Sequence, residues 1–319
     1  MRISVAVCTY NGARFLPEQL ASILAQTRRP DELVVCDDAS TDESAAIARA
    51  FAARAPFPTW VEVGPNNRGT AANFSRAIGA CGGDIVVLAD QDDWWLPHKL
   101  AALEAAFAIR PAAGLVFSDA DLVGPNLEPL GRTLWDGIGF GRRERERFGR
   151  GGAFAALLRR YRVTGATAAF RAAYRDLVLP IPAGWRHDAW VALLIAAAAP
   201  CVPLPESLIL YRQHPGQQVG GTRPGWRARY REARGMGGAD HAAEAARYAA
   251  ARERLTGAAG VPPTYLRMLD EKVAHWRRRA AMRAAGAWRA AAVLREAWRG
   301  NYGRYSHGWK AAVQDLFLG

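Results

Sequence analysis

Short apolar runs alternate with segments of helical periodicity along residues 1–120. The runs contain β-branched residues and predict buried strands at 3–7, 33–36, 60–63, 84–89 and 115–117. Between them, apolar residues recur three and four positions apart, as Leu16, Leu20 and Ile23 do, which predicts amphipathic helices. Strands that alternate with helices need crossover connections. The sequence therefore predicts an α/β fold with a Rossmann-like, mostly parallel sheet flanked by helices.

The pattern is less regular after residue 120. Segment 124–152 is rich in glycine and arginine and predicts a mobile loop with a short helix. A tight turn and strand at 164–170, a helix that begins at His187-Asp188 and a strand at 207–211 follow. The remaining chain is helical and basic in pattern. We therefore predict one domain at 1–220 and a helical, basic C-terminal region at 221–319.

Clusters of polar residues stand where four of the predicted strands end. They are Thr9 to Asn11, Asp37-Asp38, Asn66-Asn67 and Asp90 to Asp93. Ligands of parallel α/β sheets bind outside the carboxyl ends of the strands, so we expect these clusters to line one rim. Stability alone does not explain the grouped acids, because unpaired carboxylates that lie close together repel.

The acids after the fourth strand have the chemistry of a divalent-cation site. Mg²⁺ takes oxygen ligands, usually one or two carboxylates together with substrate phosphates. Asp90 and Asp92 are alternate residues, which can face one side of an extended chain. We predict that Asp92, with Asp90, holds Mg²⁺ or Mn²⁺ against a diphosphate. The alternative is a polar turn that only starts the helix after Trp94.

The acids after the second strand suit a nucleoside. A carboxylate accepts the imide proton of uracil or thymine, and it also accepts from ribose hydroxyls. The alternative is that Asp37 and Asp38 stabilise the positive end of the following helix. The two interpretations are compatible if Ser40 caps that helix while Asp38 reaches the base.

Two later segments carry further candidate residues. A displacement in which a hydroxyl group attacks needs a general base that takes the hydroxyl proton. Asp188 starts a predicted helix and is flanked by Trp185 and Trp190, which suit sugar stacking. His214, beside Arg212, is a candidate for the metal or the diphosphate. The alternatives are an ordinary first-turn acid at Asp188 and an exposed loop histidine at His214.

The formal charge of +12 is concentrated near the C-terminus, where residues 221–319 hold 19 lysines and arginines against 8 acids. Within this region Trp276, Trp288 and Trp298 are interleaved with basic residues between Lys272 and Arg299, preceded by Arg267. Basic residues with tryptophan on an amphipathic helix suit a membrane interface, so we expect peripheral contact with an anionic membrane. The alternative is a helical appendage whose tryptophans pack on the first domain.

The four cysteines, Cys8, Cys36, Cys81 and Cys201, are widely scattered and form no metal-site or redox-motif spacing. No run of about 18 apolar residues is present, and the N-terminus runs straight into a strand rather than a signal peptide. These features predict a reducing, cytoplasmic location, with contact at the inner face of the cell membrane.

An ordered set of motifs resembles glycosyltransferase family 2, whose members have the GT-A fold. The resemblance covers about residues 1–220. It is carried by VAVCTYNG at 5–12, SILAQT at 22–27, ELVVCDDASTD at 32–42, NRGTAANF at 67–74 and DIVVLADQDDWWLPHKL at 84–100, with TGATAAF at 164–170, WRHDAW at 185–190 and YRQHPG at 211–216.

The resemblance implies roles for the matching positions. Thr9, Tyr10 and Asn11 are expected to pack on the nucleobase, Asp38 to contact the base with Asp37 close by, and Asn67 and Asn73 to lie in the donor-binding segment. Asp90 and Asp92 match the metal-binding acids, Asp188 matches the catalytic base, and Tyr211, Arg212 and His214 match the loop that closes over the diphosphate.

The activity that the resemblance implies is an inverting, metal-dependent transfer of a sugar from a nucleotide sugar to an acceptor hydroxyl. The forms DQDDWW, HDAW and YRQH are similar to bacterial rhamnosyltransferases, which implies a dTDP- or UDP-sugar donor such as dTDP-rhamnose. The expected acceptor is a saccharide or a lipid-linked saccharide in surface polysaccharide or glycolipid biosynthesis.

Other classes of protein fit less well. A nucleotidyltransferase would show a glycine-rich, basic loop after the first strand, and a dinucleotide-binding fold would show G-x-G-x-x-G there, whereas the sequence has Tyr10-Asn11-Gly12. A non-catalytic scaffold that binds nucleotide sugars or the membrane is the main alternative, although Asp90, Asp92 and Asp188 are all present. No nucleic-acid module is visible, so we expect no nucleic-acid partner.

Overall fold

The computed structural model describes residues 1–215, 238–282 and 288–317. The chain divides into two compact units. The first comprises Met1–Gly151 with Val163–Thr222, and the second comprises Gly152–Arg162 with Arg223–Gly319. Residues 152–162 thus group with the second unit, although the sequence pattern placed them within 1–220.

A nine-stranded sheet forms the centre of the first unit, as far as that unit is described. Its strand order is β3-β2-β1-β4-β8-β6-β9-β5, and β7 pairs with β6. The strands are β1 Ile3–Thr9, β2 Glu32–Asp37, β3 Thr59–Val63, β4 Ile85–Ala89, β5 Trp94–Trp95, β6 Leu115–Val123, β7 Pro129–Thr133, β8 Ala168–Arg171 and β9 Cys201–Arg212.

The sheet is mostly parallel. Six of the nine strands share one direction, while β5, β7 and β8 run antiparallel to their neighbours. Strands β1, β2 and β4 are buried along their whole length, as expected for parallel strands covered on both faces. The register pairs Thr9 with Asp37 and Val7 with Ala89, so these three strands end close to one level. The predicted fold class is confirmed.

Helices cover the sheet and build the second unit. In chain order they are α1 Leu16–Leu24, α2 Ser44–Ala52, α3 Thr70–Ala80, α4 Lys99–Ile109, α5 Leu134–Ile138, α6 Arg142–Arg147, α7 Ala153–Arg159, α8 Arg175–Val178, α9 His187–Ala198, α10 Gly238–Leu255, α11 Pro263–Met282, α12 Arg289–Trp298, α13 Asn301–Tyr305 and α14 Trp309–Phe317. Phe148–Gly152 form a kink between α6 and α7, where Gly151 has a positive φ of 93°, and 3₁₀ turns lie at Gly165–Thr167 and Ala172–Tyr174.

The prediction of a mobile loop at 124–152 is wrong. The segment holds β7, α5 and α6, and its aromatic side chains are buried. The rings of Trp135, Phe140 and Phe148 lie 5.4–6.0 Å from the ring of Phe117 in β6. Long-range ring packing orders this segment. The sequence pattern did not reveal this packing, because the apolar residues of the segment are separated by glycines and arginines and are too widely spaced to give a recognisable period.

A buried ion pair and a buried hydrogen bond between a neutral histidine and a carboxylate organise the second unit. Arg279 on α11 donates two hydrogen bonds, of 2.7 and 2.8 Å, to the carboxylate of Asp315 on α14. His275 Nδ1 lies 2.8 Å from Glu296 on α12. A buried ion pair whose partners are both satisfied resists separation, because removing either partner leaves an uncompensated charge. These pairs hold α11, α12 and α14 together.

The basic segment from Lys272 to Arg299 differs from the interfacial helix expected from sequence. It is divided between α11 and α12, and Arg283 lies outside the described residues. Lys272, Trp276 and Arg279 are buried within the second unit, whereas Trp298 is 90% exposed. Among residues 1–215, 238–282 and 288–317, no helix combines the length and apolarity needed to cross a membrane.

Candidate active site

A cavity of about 780 Å³ opens at the carboxyl ends of β1, β2 and β4. It is lined by Thr9 and Tyr10, by Asp38, by the start of α3 from Asn67, by Asp90 to Asp92, and by the loop that carries Trp185 to Asp188. The structure thus brings all four predicted polar clusters to one rim. The volume falls within the range of small-molecule sites.

Gln91 ties the first strand to the acid cluster. Its Oε1 accepts hydrogen bonds from Thr9 Oγ1 at 2.7 Å and from the Tyr10 backbone N–H at 2.8 Å. Its Nε2 donates to the Tyr10 carbonyl oxygen at 3.2 Å. These bonds fix Asp90 and Asp92 on either side of Gln91 relative to β1. Sequence reasoning assigned Gln91 no role, because nothing in the motif shows which strand its amide reaches.

Asp38 joins the end of β2 to the start of α3. Its carboxylate accepts from the backbone N–H groups of Arg68 at 3.0 Å and Gly69 at 2.8 Å, and it is almost fully buried. Asn67 Oδ1 also accepts from the Gly69 N–H, at 3.1 Å. Asp38 and Asn67 both line the cavity, as their predicted contact with a nucleoside requires.

Asn73 and Asp37 shape the walls beside this region. Asn73 lines the cavity, but its amide is engaged: Nδ2 donates to the Cys36 carbonyl at 2.8 Å, and Oδ1 accepts from Arg76 at 2.7 Å. Asp37 is completely buried and accepts from the Ser40 backbone N–H at 2.8 Å and the Ser40 hydroxyl at 2.5 Å. Ser40 therefore closes a turn with Asp37 instead of capping α2, which begins at Ser44.

Asn11 and Asp37 do not line the cavity, in contrast to their predicted place near the nucleotide. Asn11 has a positive φ of 47°, a conformation that asparagine tolerates. Its Oδ1 accepts from the Thr41 N–H at 2.8 Å, and its own N–H donates to Ser40 Oγ at 2.9 Å. These local bonds link the loops after β1 and β2 and so position Tyr10 and Asp38.

Asp90, Asp92 and His214 form the candidate metal site. His214 Nε2 lies 2.8 Å from Asp92 Oδ2, so the predicted pair is in direct contact. Burial, together with the charge of Asp92, raises the pKa of Asp90 to about 7. A divalent cation would remove the repulsion between these carboxylates.

The residues present fit a divalent cation that also binds phosphate. Among residues 1–215, 238–282 and 288–317, no three histidine, cysteine, aspartate or glutamate side chains converge into a site made by the protein alone. Mg²⁺ usually keeps waters and is bound by one or two carboxylates plus substrate phosphates. Asp90 and Asp92 line the cavity and supply such a partial set of oxygen donors, while His214 contacts Asp92 but does not itself line the cavity.

Arg212 lies behind the metal-candidate loop. It is buried and does not line the cavity, which differs from its predicted contact with the diphosphate. Its Nε donates to the Asp92 carbonyl oxygen at 2.7 Å, and its backbone N–H donates to Asp93 Oδ1 at 3.1 Å. Its terminal nitrogens donate to the Pro125 carbonyl and to Glu18. The geometry assigns Arg212 to holding the loop of Asp92.

Asp188 also lines the cavity and lies in the first turn of α9. Its carboxylate accepts from the backbone N–H of Gly165 at 3.0 Å, from that of Ala189 at 2.9 Å and from Arg186 at 3.2 Å. Burial, with a smaller contribution from the charge of Asp90, raises the pKa of Asp188 to about 7 against the lowering effect of the backbone hydrogen bonds. Asp188 is thus a carboxylate poised to accept a proton near neutral pH.

Known proteins share this architecture. An uncharacterized glycosyltransferase of Nostoc sp. is 32% identical over 137 residues, which are 43% of this chain and 42% of that protein. The chain thus spans less than half the length of this curated relative. The fold is similar to Staphylococcus aureus TarS 1-349 in complex with UDP-GlcNAc, with a TM-score of 0.62 and 15% identity over 100% of this chain and 90% of that chain.

A second solved structure has the same fold. It is the mannosyltransferase PcManGT from Pyrobaculum calidifontis in complex with GDP-Man and Mn²⁺, with a TM-score of 0.52 and 19% identity over 99% of this chain and 84% of that chain. Identities at this level show the fold alone, which is of the GT-A type. The family itself is shown by sequence, because residues 4–175 match the model of Glycosyl transferase family 2. The chain belongs to glycosyl transferase family 2 and is a glycosyltransferase by family.

Proposed function

We propose that this protein is an inverting, metal-dependent glycosyltransferase that moves a sugar from a nucleotide-sugar donor to an acceptor hydroxyl. One observation carries the proposal: the candidate base Asp188 and the candidate metal ligands Asp90 and Asp92 line the same cavity. Inverting displacement needs a base on one side of the anomeric carbon and a stabilised leaving group on the other. Two separate sets of acids that line one cavity support this arrangement.

The donor would lie along the rim from Tyr10 to Asp92. Tyr10, 43% exposed, offers a ring against the nucleobase, and Asp38 and Asn67 stand where the base and ribose would be. Asp92, with Asp90 and His214, would hold Mg²⁺ or Mn²⁺ at the diphosphate. A bound cation of this kind supplies Lewis-acid stabilisation of the departing nucleoside diphosphate.

Asp188 would take the proton from the acceptor hydroxyl as that hydroxyl attacks the anomeric carbon. With a pKa of about 7, a useful fraction of Asp188 is ionised at neutral pH while the carboxylate remains basic. The Gly165 and Ala189 N–H groups hold the carboxylate in place. Trp185 lines the cavity together with Asp188, but its ring is 5% exposed and packs on Trp190. Trp190 is completely buried, so the expectation that it stacks on a sugar is wrong.

The structural neighbours support a nucleotide-sugar donor, since one is bound to UDP-GlcNAc and the other to GDP-Man with Mn²⁺. For this chain we propose a dTDP- or UDP-sugar. We include dTDP-rhamnose because the motifs at 90–95, 187–190 and 211–214 resemble those of bacterial rhamnosyltransferases. We propose a saccharide or lipid-linked saccharide acceptor and a location at the inner face of the cell membrane, supported by the basic excess in 221–319.

A thermal-shift screen of nucleoside diphosphates and nucleotide sugars, with and without Mn²⁺ or Mg²⁺, tests the donor site. Ligand that binds the folded state raises the melting temperature by mass action. We expect a metal-dependent shift with dTDP or UDP compounds, and its loss in Asp92→Ala. A shift of equal size in Asp92→Ala would remove Asp92 from the metal site.

Turnover separates the proposed enzyme from a non-catalytic scaffold. In Asp188→Asn we expect the donor-induced shift to remain while sugar transfer or donor hydrolysis falls by about 10²–10⁴. Asp176→Asn, an exposed acid in α8, is the matched control and should behave as the wild type. Donor binding without turnover in the wild-type protein, with a range of acceptors, would favour the scaffold.

A further inference from the structure

Two helices of the second unit carry apolar side chains on their solvent-facing sides. Helices α12 and α14 pack against each other, and Val293 and Ala311 belong to their shared buried cluster. Their outward sides are also apolar. The exposed residues, with their exposed fractions, are Leu294 at 65% and Trp298 at 90% on α12, and Trp309 at 72%, Val313 at 42% and Phe317 at 74% on α14.

The spacing of these residues makes them continuous stripes. Leu294 and Trp298 are four residues apart, and so are Trp309, Val313 and Phe317. Side chains four apart are neighbours on a helix surface. Single exposed apolar residues are normal, whereas contiguous apolar patches mark a surface that another phase or molecule covers.

The exposed charges around these stripes have one sign. Within 288–317 the exposed charged side chains are Arg295, Arg299, Arg304 and Lys310. The two acids of this segment are buried and paired, Glu296 with Arg278 and Arg299 and Asp315 with Arg279. Both acids are therefore withdrawn from the surface of this segment, and the exposed charge that remains around the stripes is positive, carried by Arg295, Arg304 and Lys310 besides the paired Arg299.

The composition of these stripes is typical of a membrane-binding surface, with tryptophan, phenylalanine and leucine beside arginine and lysine. Amphipathic helices with this composition lie in the interface of anionic bilayers, where the apolar side chains enter the headgroup region and the cations meet lipid phosphates. A second copy of the chain fits less well, because a self-paired contact would bring the four cations of each copy together.

We propose that the exposed sides of α12 and α14 form a docking surface for a bilayer of anionic phospholipid. This Trp298–Trp309 surface comprises Leu294, Trp298, Trp309, Val313 and Phe317 with Arg295, Arg299, Arg304 and Lys310. It deepens the proposed inner-face location and rests on it. It also relocates the membrane contact from α11, where Trp276 and Lys272 are buried, to the last two long helices of the described chain.

Flotation with vesicles tests the surface on the full chain. We expect wild-type protein to float with vesicles of phosphatidylcholine and phosphatidylglycerol, but not with phosphatidylcholine alone, and to be released by added salt because exposed charges are screened. Arg295→Gln with Arg304→Gln should weaken vesicle binding about fivefold for each arginine replaced. Equal flotation with both kinds of vesicle would overturn the proposal.

The aromatic contribution has a matched control. Trp298→Ala with Trp309→Ala should abolish flotation, whereas Trp60→Ala, at a 67% exposed tryptophan on β3 of the first unit, should leave it unchanged. Unchanged flotation of the double variant would overturn the proposal. So would a second result: wild-type protein that binds no vesicles but sediments as a dimer, with the dimer lost in the double variant.

The same variants separate this surface from the active site. All the replaced residues are exposed and lie outside the cavity, so their melting temperatures and their metal-dependent shifts with nucleotide sugars should equal those of the wild type. Loss of flotation with retained donor shifts supports the membrane surface whatever the donor is. Flotation that persists when no donor shifts the protein would leave the surface standing and count against the transferase.

Discussion

The ammonium group of Lys99 donates a hydrogen bond of 2.7 Å to the backbone carbonyl of Ala166. Lys99 is completely buried, and its Nζ lies 3.5 Å from the centroid of the Trp95 ring. Burial holds the pKa of Lys99 well below its ordinary value, although the charges of Asp93 and Asp90 act in the opposite direction. Ala166 follows Gly165, whose N–H holds Asp188. Lys99 therefore links the helix after the acid loop to the turn that supports the candidate base.

Replacing Lys99 with methionine should lower both stability and activity. The change keeps the length of the side chain but leaves the Ala166 carbonyl without this donor, which costs about 1–3 kcal/mol. Urea unfolding measures the loss, and we expect sugar transfer to fall more than donor binding because the turn at Gly165 loosens. Lys310→Met, at an exposed lysine, should change stability by less than about 0.5 kcal/mol. Equal effects at the two lysines would contradict the role of Lys99.

Gly165→Ala should displace the carboxylate of the candidate base Asp188 without changing that residue itself. A Cβ at position 165 would lie 2.3 Å from His187 Nε2 and 3.3 Å from the Cβ of Asp188. His187 is stacked on Phe74 with ring centroids 3.7 Å apart, so it has little room to move. We expect a stability loss of about 1–3 kcal/mol from overpacking and a fall in turnover.

The control for this change is Gly141→Ala, where an added Cβ meets nothing within 4 Å. Thermal unfolding and a transfer assay on both variants test the difference. Wild-type turnover in Gly165→Ala would show that the position of Asp188 tolerates movement of this turn.

The rate of sugar transfer should depend on pH through Asp188. A base works in its ionised form, and burial raises the pKa of this carboxyl to about 7. The rate at saturating donor should therefore rise with pH up to about 7 and level off above it, falling about tenfold per pH unit well below the pKa. Burial also raises the pKa of Asp90 to about 7, so titration of Asp90 could give a similar pH dependence. The pH–rate profile of Asp188→Asn distinguishes titration of Asp188 from titration of Asp90. A residual rate in Asp188→Asn that keeps the full wild-type slope would assign the titration elsewhere.

Arg212 should be needed for the order of the acid loop. Arg212→Lys keeps the charge but loses the planar fork that reaches the Asp92 and Pro125 carbonyls. We expect destabilisation of about 1–3 kcal/mol in chemical denaturation and a smaller metal-dependent donor shift. Arg132→Lys on the exposed strand β7 is the control and should match the wild type. A normal melting temperature with a lost donor shift would instead indicate direct contact of Arg212 with the donor.

Much of the site follows from local pattern. Alternating apolar runs and helical periods place Thr9, Asp38, Asn67, Asp90 and Asp92 at strand ends, and parallel strands bring such ends to one rim. The motif resemblance identified the family, which the match over 4–175 shows. Prediction worked here because the information is contained in short segments whose geometry depends on backbone periodicity.

Other assignments depended on contacts between distant residues. Arg212 reaches Asp92 across 120 positions, Gln91 reaches Thr9 across 82, and Lys99 reaches Ala166 across 67. No local pattern shows whether an arginine faces the cavity or the back of a loop. The same limit applies to Trp276 and Trp298, which look alike in a basic helical sequence although one is buried and the other exposed.

The sequence by itself determined the α/β class, the rim of acids and the candidate base, since strand ends and helix starts are set by short-range periodicity and turn chemistry. Only the tertiary structure decided which polar side chains face the cavity and which brace its walls. It also decided which basic and aromatic residues of the second unit are exposed to solvent. Those choices follow from the burial of charged groups, which must find partners wherever the fold brings them together.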